Sequence, residues 1–138
     1  MPVQFVTSNI FPISIAFFSG LMLLWSIFGN RFRGVKEVKP AEALQLINHK
    51  SAFVLDVREA NEYNGGHVLN SVLIPLGTLK ARLDELEKYR DRPMVVVCRS
   101  GSRSGTACAI LAKHGYAQAY NLAGGVLAWQ RNNLPLEK

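Results

Sequence analysis

The sequence predicts an α/β domain built on a parallel sheet with helices on both faces, preceded by one apolar N-terminal helix. Three observations predict it. From Gly34 onward, short apolar runs rich in β-branched residues alternate with segments of helical periodicity, the pattern of strands joined by helical crossovers. Residues 10–28 carry no charged side chain. With the first thirty of 138 residues uncharged, about 100 remain for a single core.

Residues 1–9 read as a short N-terminal segment, 10–28 as a transmembrane helix, 29–34 as a basic juxtamembrane linker and 35–138 as the α/β domain. Nineteen helical residues rise roughly 28 Å, near the hydrocarbon thickness of a bilayer. Pro12 falls in the first turn, where a missing N–H costs little, and Trp25 near the far end suits the interface. The stretch lacks the polar stripe of a core helix, and also the basic start and small-residue cleavage site of a signal peptide. Arg31, Arg33, Lys36 and Lys39 follow it and no Lys or Arg precedes it. The expected topology is therefore a single pass through the cell inner membrane, N-terminus outside and domain cytoplasmic.

Those four cations, offset by Glu37, carry half of the net charge of +6. Basicity thus reads as a topology signal with contact to anionic lipid, and no alternation of basic and aromatic residues suggests a nucleic-acid partner. Two cysteines ten positions apart exclude a disulfide framework and an all-cysteine metal site, and fit a reducing compartment. No cofactor or metal is expected.

Within the domain, Pro40 opens a helix with Ala43, Leu44 and Ile47 on one face, ended by Asn48, His49 and Lys50. Ala52 to Leu55 and Val72 to Ile74 read as strands, the second stopped by Pro75. Thr78 is placed to cap a helix bearing Leu79, Leu83 and Leu86. Asp91, Arg92 and Pro93 turn into the strand Met94 to Val97. A helix follows it to a C-cap at Gly115, then a strand at Ala119 to Asn121 and a last helix from Val126 to Arg131.

The chemistry gathers where the run Val95, Val96, Val97 ends at Cys98, with Arg99, Ser100, Gly101, Ser102 and Arg103 leading into an Ala-rich helix. A thiol at a strand-to-helix turn lies beneath unpaired N–H groups of the first helical turn. Those donors and two arginines favour the thiolate. Cys108 falls among Ala107, Ile110 and Leu111 and reads as a packed thiol. Asp56 and Arg58 end a strand as Cys98 does and read as a supporting ion pair bracing a loop. His67 reads as structural, His49 and His114 as solvated helix ends, and Tyr63 and Trp129 as core.

The run Cys98 to Ser104 resembles the active-site loop of rhodanese-like sulfurtransferases. Two further stretches resemble the same family: Leu55 to Glu59 with Glu62, Tyr63, Gly66 and His67, and Asn121 to Val126 with Trp129. The likeness runs from about Val35 to Leu136, with Asn70 where the family often has Gly and Ile74 where it often has Asn. It implies a single rhodanese-like domain with a central parallel five-stranded sheet; it does not reach residues 1–34, and the apolar run at 10–28, read from its own residues, makes the expected protein the membrane-anchored bacterial type. It further implies a sulfurtransferase in which Cys98 is the nucleophile. A small anionic donor, thiosulfate or a persulfide, loads sulfur as a Cys98 persulfide, held by Arg99, Ser100, Gly101, Ser102 and Arg103 and passed to a thiol acceptor, small or on a protein.

Two other readings stand beside it. A cysteine phosphatase would use the same kind of thiolate, but four residues separate Cys98 from Arg103, where the phosphatases akin to this family have five and a wider bowl for phosphate. A catalytically idle, membrane-tethered binding module would have no use for both the cysteine and its arginines.

Overall fold

The computed structural model describes residues 2–32 and 35–138, without the side chains of 2 and 27–32, and the chain divides into two units, 1–33 and 34–138. In the first unit, α1 (Pro2–Ser8) turns at Asn9, whose Nδ2 donates to the Phe5 carbonyl, into α2 (Ile10–Phe32). Pro2–Ser8 is thus helical, which the sequence reading did not anticipate.

The transmembrane helix expected at 10–28 finds no support among the described residues. Among the described residues no helix is long and apolar enough to cross a membrane. The side chains described in α2 run from Ile10 to Ser26, seventeen residues, or about 26 Å of rise against a hydrocarbon core of roughly 30 Å. Ile27 and Phe28, and the linker expected at 29–34, lie outside the described side chains. Phe11, Met22 and Trp25 of α2 are exposed.

The second unit is ordered as β1 (Lys36–Val38), α3 (Pro40–Lys50), β2 (Phe53–Asp56), α4 (Ala60–Asn64), β3 (His67–Val68), β4 (Val72–Leu73), α5 (Leu76–Leu79), a 3₁₀ segment (Lys80–Tyr89), β5 (Met94–Val97), α6 (Ser102–Lys113), β6 (Ala119–Leu122), α7 (Gly125–Arg131) and β7 (Leu136–Glu137). Five strands form one parallel sheet in the order β1-β6-β5-β2-β4. β3 and β7 pair antiparallel in a separate two-stranded ribbon.

Alternation along β5 divides the core between the faces of the sheet. Met94, Val96 and Cys98 join Leu55, Ile74, Leu79, Leu86, Ala107 and Leu111 on the side of α5 and α6. Val95 and Val97 join Val54, Ala43, Leu122, Val126 and Trp129 on the side of α3 and α7. Truncating a fully buried leucine such as Leu55 or Leu122 to alanine costs about 2–5 kcal/mol in a core of this kind. The same alternation carries Cys98, the first residue past β5, to the α6 side.

Three local features stand out in this unit. Thr78 does not cap a helix: it lies inside α5 with its Oγ1 donating to the Pro75 carbonyl, and the chain kinks at Arg82 (φ −116°, ψ 17°) within the 3₁₀ segment. Asn70 takes a left-handed conformation (φ 62°), which asparagine tolerates better than most residues, so it serves where glycine is common. Glu42 and Glu62 each accept the N–H three residues before them, of Lys39 and Glu59, and so close the N-termini of α3 and α4.

Candidate active site

The strand order sets the position of the site. From β2 the chain moves outward to β4, then returns to β5 on the other side of β2 and continues to β6. The loops leaving the carboxyl ends of β2 and β5 therefore flank a switch point, where open parallel sheets bind ligands. Asp56 ends β2 in register with Val97, and Cys98 follows directly.

The cysteine loop is held from two sides. On one side it runs into α6 through Gly101, whose φ of 103° suits glycine. On the other, the first N–H groups of α7 bind the loop carbonyls: Val126 N donates to Cys98 O (2.9 Å) and Leu127 N to Arg99 O (3.2 Å). A Cβ at Gly125 would collide with the carbonyls of Cys98 and Arg99, and one at Gly124 with the Ala128 side chain, so each of the paired glycines that open α7 has its own reason.

Cys98 is 1% exposed, and its sulfur is surrounded by donors. Gly101 N–H donates to Sγ at 3.0 Å, and Ser104 Oγ lies 3.2 Å away. Burial pushes the thiol up, but hydrogen bonds from the Ser104 hydroxyl and from the N–H groups of Ser104, Gly101 and Ser100 outweigh it and hold Cys98 below its ordinary value. Cys108, one turn beyond Ser104 on α6, has no such donors among the described residues. Burial, with the Cys98 charge nearby, pushes its thiol up to about 12.

The two arginines of the loop have separate surroundings. Arg99 is exposed and lines a groove of about 330 Å³ with Asn61, Glu62, Leu127 and Gln130. Arg103 is committed to Glu62 of α4 by two bonds, Nη1 to Oε1 (2.7 Å) and Nη2 to Oε2 (2.9 Å). That pairing, opposed in part by burial, brings the Glu62 carboxyl down to about 2. Ser100 and Ser102 are exposed at the rim of the loop.

Asp56 and Arg58 form a buried pair, 0% and 5% exposed. Asp56 Oδ2 accepts from Arg58 Nη2 (2.8 Å) and Nε (3.0 Å), and Arg58 Nη2 also donates to Gly66 O (2.7 Å). The pair ties the end of β2 to the turn after α4. His67 stacks on Tyr63, with Nδ1 on the Tyr63 carbonyl and Nε2 near Glu137. Tyr63 donates its hydroxyl to Ser71 O, Trp129 is buried, and His49 and His114 are exposed. Among the described residues no three His, Cys, Asp or Glu side chains stand close enough to hold a metal ion.

Three residues of the site were not singled out from the sequence. Glu62 was seen only as part of a motif, Ser104 only as the end of the loop, and Asn121 only as the start of another motif. Asn121 left a signal, a lone polar residue in a buried strand.

The family model "Rhodanese-like domain" matches residues 39–132. A protein named "Uncharacterized protein YibN" from Escherichia coli K12 is 36% identical over 126 residues, covering 90% of this chain and 88% of its own. One named "Sulfurtransferase" from Allochromatium vinosum is 36% identical over 92 residues, covering 67% and 84%. A crystal structure of a rhodanese-related protein from Thermoplasma volcanium superposes with a TM-score of 0.63 at 28% identity, covering 74% of this chain and 97% of that one.

Proposed function

Because this chain belongs to the rhodanese-like domain family, we propose that it is a sulfurtransferase that carries sulfane sulfur on Cys98. The observation that carries the reading is the sulfur itself, held below its ordinary pKa by the Gly101 N–H and the Ser104 hydroxyl in a loop closed by only four residues before Arg103. The Cys98 thiolate attacks the outer sulfur of thiosulfate, the S–S bond of the donor breaks, and sulfite departs with its electron pair. The product is a Cys98 persulfide anion, its charge carried on the outer sulfur and stabilised by the N–H groups of the loop. An acceptor thiolate, or cyanide in an assay, then attacks the outer sulfur and returns Cys98 as thiolate. Exposed Arg99 attracts the anionic donor, and the groove beside it admits the acceptor.

Phosphatase chemistry is disfavoured by the commitment of Arg103. Its guanidinium fork is filled by Glu62, and a phosphate would have to displace that carboxylate. The test is turnover: with thiosulfate and cyanide the whole chain should form thiocyanate, and Cys98→Ser should not. Hydrolysis of aryl phosphates through Cys98 without thiocyanate formation would overturn the reading.

Attachment to the cell inner membrane through residues 10–28, with the domain cytoplasmic, belongs to the same proposal. Its support is the uncharged run and the cations that follow it, Arg31, Arg33, Lys36 and Lys39. Recovery in a salt-washed membrane fraction, protected from protease added outside cells, is the expected result. Recovery in the soluble fraction would refute it.

A further inference from the structure

Ser104 has one hydroxyl proton and two neighbours that compete for it. Its Oγ lies 2.5 Å from Asn121 Oδ1 and 3.2 Å from Cys98 Sγ, with Ser104 and Asn121 0% and 1% exposed. The orientation of the Asn121 amide follows from its other bond: Nδ2 donates to Gly101 O (2.9 Å), which leaves Oδ1, an acceptor, toward Ser104. Asn121 therefore touches both the donor to the sulfur and the backbone of the cysteine loop.

While Cys98 carries its proton, the chain is complete: S–H donates to Ser104 Oγ, and Ser104 O–H to Asn121 Oδ1. A thiolate can only accept. Ser104 must then turn its proton to sulfur, and Asn121 Oδ1 is left facing an oxygen lone pair in a buried site. When Sγ is bonded to a second sulfur, it no longer needs the Ser104 proton, which returns to Asn121.

We propose that Asn121 is a positioning residue for Cys98. By holding the Ser104 hydroxyl in the orientation that serves the protonated thiol and the persulfide, it opposes ionisation of the free sulfur and keeps the thiolate reactive. The reactivity follows because nucleophilicity falls as a thiolate becomes more stabilised. This role rests on the sulfur-carrier reading, and among the described residues no charged group supplies it. Around Cys98 stand Arg103, tied to Glu62 of α4, exposed Arg99 in the loop, the Asp56–Arg58 pair at the end of β2, and Cys108 on α6, while α7 meets the loop through backbone N–H groups. None of these contacts Ser104 Oγ, whose partners are Asn121 and Cys98.

The experiment is the pH dependence of Cys98 alkylation by iodoacetamide in the full chain, for wild type, Asn121→Leu, Ser104→Ala and the double variant. Asn121→Leu should lower the midpoint by about one pH unit, because Ser104 is freed to donate to sulfur. Ser104→Ala should raise it. In the Ser104→Ala background, Asn121→Leu should move it by no more than a third of the single-variant shift. An equal shift in both backgrounds, no shift, or an upward shift from Asn121→Leu would overturn the proposal.

Wild-type protein offers a check that survives a failure of Asn121→Leu to fold. The ¹³Cγ resonance of Asn121 should titrate with the Cys98 midpoint, and Ser104→Ala should remove most of that response. A resonance that ignores Cys98 refutes the coupling. Neither readout uses a sulfur donor, so a chain that titrates this way but takes no sulfur from thiosulfate defeats the proposed function alone.

Discussion

Arg103 of α6 and Glu62 of α4 meet fork to fork, forty-one positions apart in the chain, through two bonds of 2.7 and 2.9 Å. Glu62 thus joins two tasks, closing the N-terminus of its own helix and fixing the arginine of the cysteine loop. Its carboxyl is lowered from 4.5 to about 2, chiefly by the Arg103 bonds. A depressed carboxylate contributes stability that is present above its unfolded pKa and lost as pH falls through the folded one. Wild type should therefore lose about 1 kcal/mol between pH 4.5 and 2 through this partly exposed pair, and Glu62→Gln should lose it at every pH. Urea unfolding across that range checks it; an unchanged acid profile in Glu62→Gln would contradict the linkage.

The two thiols should differ sharply in alkylation. With Cys108 at about 12, roughly one molecule in ten thousand or fewer carries its thiolate at pH 7.5, while Cys98 is held below the ordinary thiol value. Mass spectrometry after brief iodoacetamide treatment should find label on Cys98 alone, and Cys108→Ser should retain sulfur transfer. Comparable labelling of both thiols in folded protein would contradict this.

Asp56→Ala should destabilise the domain by about 3 kcal/mol, because it strands a buried Arg58. Replacing both, as Asp56→Leu with Arg58→Met, should cost less, although Gly66 O loses its donor. Thermal unfolding ranks the variants. Sulfur loading per folded molecule should stay within about twofold, as the pair braces the loop and touches no reacting atom.

Gly125→Ala should displace the cysteine loop. The new Cβ meets the carbonyls of Cys98 and Arg99, at a backbone φ of 59° that disfavours alanine. A loss of about 2 kcal/mol and of at least tenfold in transfer rate is expected, read by urea unfolding and thiocyanate formation. Full activity in Gly125→Ala would show that the α7 contact does not shape the loop.

Legibility followed burial. β5 and the cysteine loop were plain in the sequence because a buried central strand is continuously apolar and its end is abrupt, at Val97 and Cys98. β1 was missed because an edge strand of three residues buries only Val38 and carries Lys36 and Glu37. The ribbon of His67–Val68 with Leu136–Glu137 is too short to show a period, and the 3₁₀ segment contains a kink at Arg82 that no local residue announces. Of the site, Cys98 and its loop were legible, since their chemistry is local. Glu62 and Asn121 were not, since their partners lie forty-one and twenty positions away.

The most direct measurement is the intact mass of the whole chain after incubation with thiosulfate. The sulfur-carrier reading predicts a gain of one sulfur atom, located on Cys98, absent in Cys98→Ser, present in Cys108→Ser and removed by dithiothreitol. A mass that does not change while Cys98 remains alkylatable, or a sulfur located on Cys108, would contradict it.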